Sequence, residues 1–241
     1  MHLTYNKSKL YTLEAAVKSK HLRLITLLSF IACALHASML YTPFNNYLYT
    51  SAFKVFIFIL TPLIYCKISR QVTFKNLLSL FLFKKRDLKI PLLLGLGVFT
   101  FITAMFAILL PFFDREEITA ALANNNITPQ NAIFVFLYIV IINAALEQFF
   151  FRGFIFAQLH RMNFKHYAHL YSAVLFSFYH IPILFLAVSP GILVLCTVGL
   201  VAAGLIFNML TIRFNSISAA LVVHISANLA LNMMIGINFI F

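Results

Sequence analysis

Of the six carboxylates in the chain, Glu147 alone lies deep inside a long apolar run, Asn143-Ala-Ala-Leu-Glu147-Gln148-Phe-Phe-Phe-Arg152-Gly153. Two later runs carry imidazoles and amides: Phe176-Ser-Phe-Tyr-His180 and His224-Ile-Ser-Ala-Asn228-Leu-Ala-Leu-Asn232. Residues four apart share a helix face. Asn143 therefore points with Glu147, Phe176 with His180, and His224 with Asn228 and Asn232. Burial in an apolar bundle disfavours the charged form of a carboxyl, so Glu147 could take a proton from a water that an imidazole holds against it. A second imidazole and an amide could donate hydrogen bonds to the oxyanion of a tetrahedral intermediate. That chemistry is hydrolysis. Ser177 and Ser226 lie nearby in sequence but have no dedicated base, so a serine triad is not read here.

The elements that must position these groups are membrane helices. The chain has 241 residues, 62% apolar and only 10% charged, against about 25% charged in ordinary soluble domains. Its mean hydropathy is +0.95. Such a chain can neither stay disordered nor cover itself with a charged surface in water. Three cysteines in or beside apolar runs give no disulfide framework and no metal-binding pair.

Runs long enough to cross a hydrocarbon layer, about 20 residues each, cover 22–41, 48–66, 91–113, 132–158, 168–187, 190–211 and 215–240. The second is the weakest, being short and holding Lys54 and Pro62. The predicted fold is all-α, a polytopic bundle of about seven spans with eight as the upper count. Residues 1–131 form N-terminal spans and a basic loop, and 132–241 form the core that carries the site. Segment 74–83 reads equally as an amphipathic or re-entrant helix at the interface and as an ordinary basic loop.

Charge sets the expected orientation. The net charge is +12. Lys7, Lys9, Lys18, Lys20 and Arg23, the 67–90 segment, Arg161 with Lys165, and Arg213 together hold 15 of the 18 basic residues. These are alternate connections, so the positive-inside rule puts the N-terminus in the cytoplasm and the C-terminus outside. The clustering argues for membrane insertion and against nucleic acid. A cleaved signal peptide is disfavoured by the long basic lead and the long first run.

Depth brings the polar residues to one level. At 1.5 Å per residue, Glu147 lies roughly 16 Å from the cytoplasmic end of its span, His180 roughly 18–20 Å and His224 roughly 14 Å. Ionisable groups at such depth are functional-site hypotheses by default. Arg152 lies about 140° round the helix from Glu147, so it is expected to bind helix-end carbonyls or another loop. Gly153 is expected to allow close helix packing. His36, His166 and His169 are read as structural or solvated. The 28 phenylalanines are read as lipid-facing or packing surface.

The ordered trio Glu147-Gln148-x-x-x-Arg152, Phe176-x-x-x-His180 and His224-x-x-x-Asn228 resembles the CPBP family, which gathers CAAX prenyl proteases of type II, bacteriocin-processing proteins and Abi-type intramembrane proteases. The resemblance covers about 132–235. It implies that Glu147 and His180 activate a water, that His224 and Asn228 hold the oxyanion, and that Arg152 is structural or touches the substrate. Relatives are often called metalloproteases; Glu147, His180 and His224 would then hold Zn²⁺ with an open position. The chain lacks the His-Glu-x-x-His motif, and a metal-free glutamate mechanism is favoured. The family's second Glu is Gln148 here, which hydrogen-bonds but cannot ionise.

The expected function is an intramembrane endopeptidase, most simply of a bacterial cell membrane, cutting a peptide or membrane-protein substrate near the cytoplasmic face. The alternatives are a silent relative that works by binding in a membrane, immunity or regulatory role, which Gln148 favours, and a transporter or channel, which would need more polar lining. Glu147→Gln is expected to abolish activity in a folded protein, and Phe151→Leu to cost little.

Overall fold

The computed structural model describes residues 2–42, 46–82, 88–185 and 187–240, with side chains from residue 14 onward. Among them every regular element is helical. Phe83, Lys84, Lys85 and Arg86 of the basic 67–90 segment lie outside the described residues.

The helices are α1 (His2–Met39), α2 (Tyr47–Ser69), α3 (Phe74–Leu78), α4 (Lys89–Leu109), α5 (Arg115–Asn124), α6 (Ala132–Arg161), α7 (Lys165–Phe185), α8 (Pro190–Phe214) and α9 (Ser218–Ile235). Among the described residues, seven helical stretches are long and apolar enough to cross a membrane. They match the seven runs of the sequence, with ends that differ by a few residues except at the first, which begins at Glu14. The span that looked weakest is a full 23-residue helix through Pro62.

Local chemistry sets the ends. The Asn46 side chain accepts from Tyr49 N and starts α2; Arg70, in the left-handed region at φ 54°, stops it. Asp114 accepts from Glu116 N and Glu117 N at the start of α5, where an acidic first turn suits the helix dipole. The 114–131 connection therefore holds a short helix. Asn215 ends α8 at φ 46°.

Over its described part the 74–83 segment is a short helix, not a loop, and it is amphipathic as the first of the two readings has it: Leu78 and Leu82 are exposed on one side. Thr73 and Asn76 form a reciprocal cap. Leu77 is fully buried and Leu80 nearly so. The Leu80 carbonyl accepts from Ile217 N at 2.9 Å and Ser216 Oγ at 2.8 Å. The segment thus packs against α6 and the start of α9, with Phe149 on Phe74 and Phe81.

Helix α6 is the centre, packed by α1, α2, α7, α8 and α9. Its phenylalanines from Phe149 to Phe156 are core, whereas Phe134 near its start is exposed. Phe150, Phe151 and Phe154 are fully buried, and Phe150 stacks on Phe58 of α2 with centroids 3.9 Å apart. Helix α6 is also irregular, with π-helical stretches at Tyr138–Asn143 and Gln148–Phe156 flanking Ala144–Glu147. Such wide turns recur at functional sites.

Around this centre, α7 packs on α8 and α4 on α9. Gly95 permits close approach at the second contact, where a Cβ would meet Ser226 Oγ, and Gly204 at the first. A Cβ there would meet the Ala173 Cα at 2.8 Å, whereas at Gly153 every neighbour stands at ordinary contact distance. The expectation for Gly153 is corrected accordingly. Gly204→Ala is expected to lower stability in detergent by about 1–3 kcal/mol through overpacking. Gly97→Ala, with open space around it, should match or slightly exceed wild type in the same melting experiment.

Candidate active site

Glu147 is 1% exposed, and its two carboxylate oxygens have different surroundings. Oε1 accepts from Asn143 Nδ2 at 3.0 Å, from the Tyr179 hydroxyl at 3.2 Å and from Lys54 Nζ at 3.4 Å. Oε2 has no hydrogen-bond partner among the described residues. It faces His180 Nε2 at 3.8 Å and His224 Nε2 at 3.7 Å. The carboxylate and both imidazoles of the sequence trio thus converge from α6, α7 and α9, as the depth argument predicts.

The two imidazoles are wired oppositely. His180 Nδ1 lies 2.7 Å from the Phe176 carbonyl. A carbonyl only accepts, so Nδ1 carries the hydrogen and the neutral ring turns a bare Nε2 toward Glu147. His224 Nδ1 lies 3.0 Å from Gln148 Nε2. In this orientation of the amide, which leaves Gln148 Oε1 without a partner among the described residues, the nitrogen donates, so Nδ1 accepts and Nε2 carries the hydrogen. A donor facing a carboxylate oxygen is also the favourable arrangement for His224. The rings are held by aromatics: His224 stacks on Phe207 at 5.2 Å and meets the Phe176 edge, and His180 packs on Phe176 and Tyr179.

Asn228 sits one turn beyond His224, but its Nδ2 donates to the Ile139 carbonyl at 3.1 Å. Ile139 lies in the first π-helical stretch of α6, so Asn228 braces the turn that leads to Glu147. Asn232 donates to the Asn228 carbonyl. Ser177 and Ser226 donate to the carbonyls of Thr197 and Val222.

Arg152 is fully buried and makes no ion pair with Glu147. Its expected partner, a helix-end carbonyl or a loop, is replaced by a mid-helix one, with Nη2 3.4 Å from the Gly204 carbonyl. Its guanidinium lies over Phe176 at 4.3 Å and Phe207 at 4.9 Å. Those rings also hold His180 and His224, so Arg152 supports the aromatic floor of the site. Phe151 is part of that floor, fully buried against Phe58 and Phe176. It is not the tolerant position that its helical angle suggests.

Two residues escape the sequence reading. Lys54 and Tyr179 both reach Oε1 of Glu147. A signal existed for the lysine, since a lone cation within an apolar span calls for the lone acid of another. His36, read as structural or solvated, is buried and packs its ring on Tyr179 at 5.2 Å. It is a neighbour of the site.

A zinc ion fits the set poorly. A tetrahedral Zn²⁺ held by Glu147, His180 and His224 at about 2.0 Å would draw the ligand atoms to about 3.3 Å from one another. Here Oε2 stands 3.8 and 3.7 Å from the two nitrogens, wider than a shared tetrahedral ion requires. No group of three such ligands close enough to hold a metal occurs among the described residues.

The family model described as type II CAAX prenyl endopeptidase Rce1-like matches residues 129–230. That stretch contains Glu147, Gln148, Arg152, Phe176, His180, His224 and Asn228, and leaves out Lys54. No curated protein and no solved structure matches the chain.

Proposed function

We propose, for a chain whose residues 129–230 match the family model of type II CAAX prenyl endopeptidases, that this integral membrane protein is a glutamate-type intramembrane endopeptidase. The observation that carries the reading is the pair of acceptors, Glu147 Oε2 and His180 Nε2, facing one another at 3.8 Å. Two acceptors so placed are joined by a water that donates one hydrogen to each. Glu147 takes the proton as that water attacks the scissile carbonyl, and returns it to the leaving amine. The hydrogen on His224 Nε2 is donated to the developing oxyanion. Asn228 braces Ile139; a role as second oxyanion donor would need its amide to leave that carbonyl. No step is assigned to a metal.

The substrate proposed is a peptide or membrane-protein segment that reaches the bundle from its basic end, which the positive-inside rule makes cytoplasmic. Gln148 is the one feature that favours a silent relative. Its buried bond to His224 gives it a task that an active site needs, so the enzyme reading is preferred.

The test uses purified protein in detergent with fluorescent peptides ending in Cys-aliphatic-aliphatic-X, farnesylated or bare, and with membrane-proximal peptides. Wild type should cleave a subset, with and without a chelator, and Glu147→Ala should cleave none. Equal cleavage by Glu147→Ala would overturn the glutamate mechanism, and loss on chelation would overturn its metal-free form.

A further inference from the structure

Lys54 lies on α2, 93 residues before Glu147 and outside the stretch that matches the family. Its side chain is 12% exposed. Its ammonium donates to Asn143 Oδ1 and to Glu147 Oε1, and lies 5.5 Å from the Tyr179 ring centroid. An ammonium this far from water is costly unless it is paired and hydrogen-bonded.

The arrangement does more than neutralise two charges. By donating to Asn143 Oδ1, Lys54 fixes which end of that amide faces Glu147, so Asn143 Nδ2 is the end that donates to Oε1. Lys54, Asn143 and Tyr179 therefore converge on one oxygen and leave the other turned to the two histidines. A carboxylate without that anchor could rotate and present either oxygen.

We propose that Lys54 is a positioning residue of the active site: through its contacts with Asn143 and Glu147 it pins Oε1 and so presents Oε2 to the water. The proposal rests on the endopeptidase reading for its catalytic meaning, and on geometry alone for the pinning itself.

The pinning is read without any substrate. Isotope-edited infrared spectra of protein carrying ¹³C-glutamate, wild type minus Glu147→Gln, isolate the Glu147 band. In Lys54→Met that band should move, because one donor is lost and a second is freed to turn. With a cleaved peptide in hand, kcat should fall about 10²-fold with KM unchanged, and Lys54→Arg should recover part of it. An unmoved band in folded Lys54→Met overturns the proposal, as does an unchanged kcat. Should Lys54→Met fold poorly, its pairing with Glu147→Gln decides. Stability equal to that of Glu147→Gln alone supports the proposal, and no relief overturns it. A band that moves in a protein that cleaves nothing would leave the pinning standing and remove the enzyme reading instead.

Discussion

Glu147→Gln is expected to reduce peptide cleavage by about 10²–10⁴-fold, the usual worth of a general base, in a protein that still inserts and folds. The amide keeps the shape of the carboxylate. Its oxygen can still accept from Asn143, Tyr179 and Lys54, which now surround Oε1. Its nitrogen would take the place of Oε2 and donate toward His180 Nε2, so neither side of that pair could accept a proton from water. Breaking a fully buried ion pair costs about 3–5 kcal/mol. The cost here is smaller, since Lys54 keeps some exposure and the amide oxygen still accepts from it. Cleavage followed by mass spectrometry, alongside a melting curve, checks both halves. Wild-type turnover by a well-folded Glu147→Gln would remove the base role.

His224→Leu is expected to lower kcat by about 10²–10³-fold, the cost of one oxyanion donor, with KM little changed. The more informative partner is Gln148→Leu. Leucine cannot donate to His224 Nδ1, so nothing then fixes the hydrogen on Nε2. Gln148→Leu should therefore share a large part of the His224→Leu loss although residue 148 is not itself a reacting group. Side-chain ¹⁵N spectra of the histidines should show His224 protonated at Nε2 in wild type and that preference weakened in Gln148→Leu. Gln148→Glu turns the bond round, because a carboxylate accepts from Nδ1–H. An unchanged rate in Gln148→Leu would sink the proposed link between this amide and the oxyanion.

The sequence made the spans and the trio legible for physical reasons. Apolar runs of membrane length admit one reading, and polar residues inside them are too costly to be incidental. What stayed hidden depends on partners across helices. The helical wheel puts Gln148 about 100° from Glu147, away from a shared face, yet it reaches His224 of α9, whose other ring nitrogen faces Glu147. The same wheel sets Phe151 aside, though α2 and α7 enclose it. Asn228 shares a face with His224 as the spacing says, but spacing cannot show that a carbonyl of the first wide turn would claim its amide. Lys54 looked like a defect of its span because its counter-charge is distant in the chain.

That distance has a consequence for how the protein is made. At ribosomal speeds, 93 residues take roughly 5–19 s to synthesise. Through that interval the second span has left the translocon, or waits beside it, with an ammonium that has no carboxylate to meet. A lysine at a helix centre opposes insertion by about 2.5–3.5 kcal/mol, and the other residues of that span, mean hydropathy 1.7, must carry it unaided. When the fourth span docks, the liability disappears. Until then, Lys54 is a charge within the bilayer that lacks its Glu147 partner.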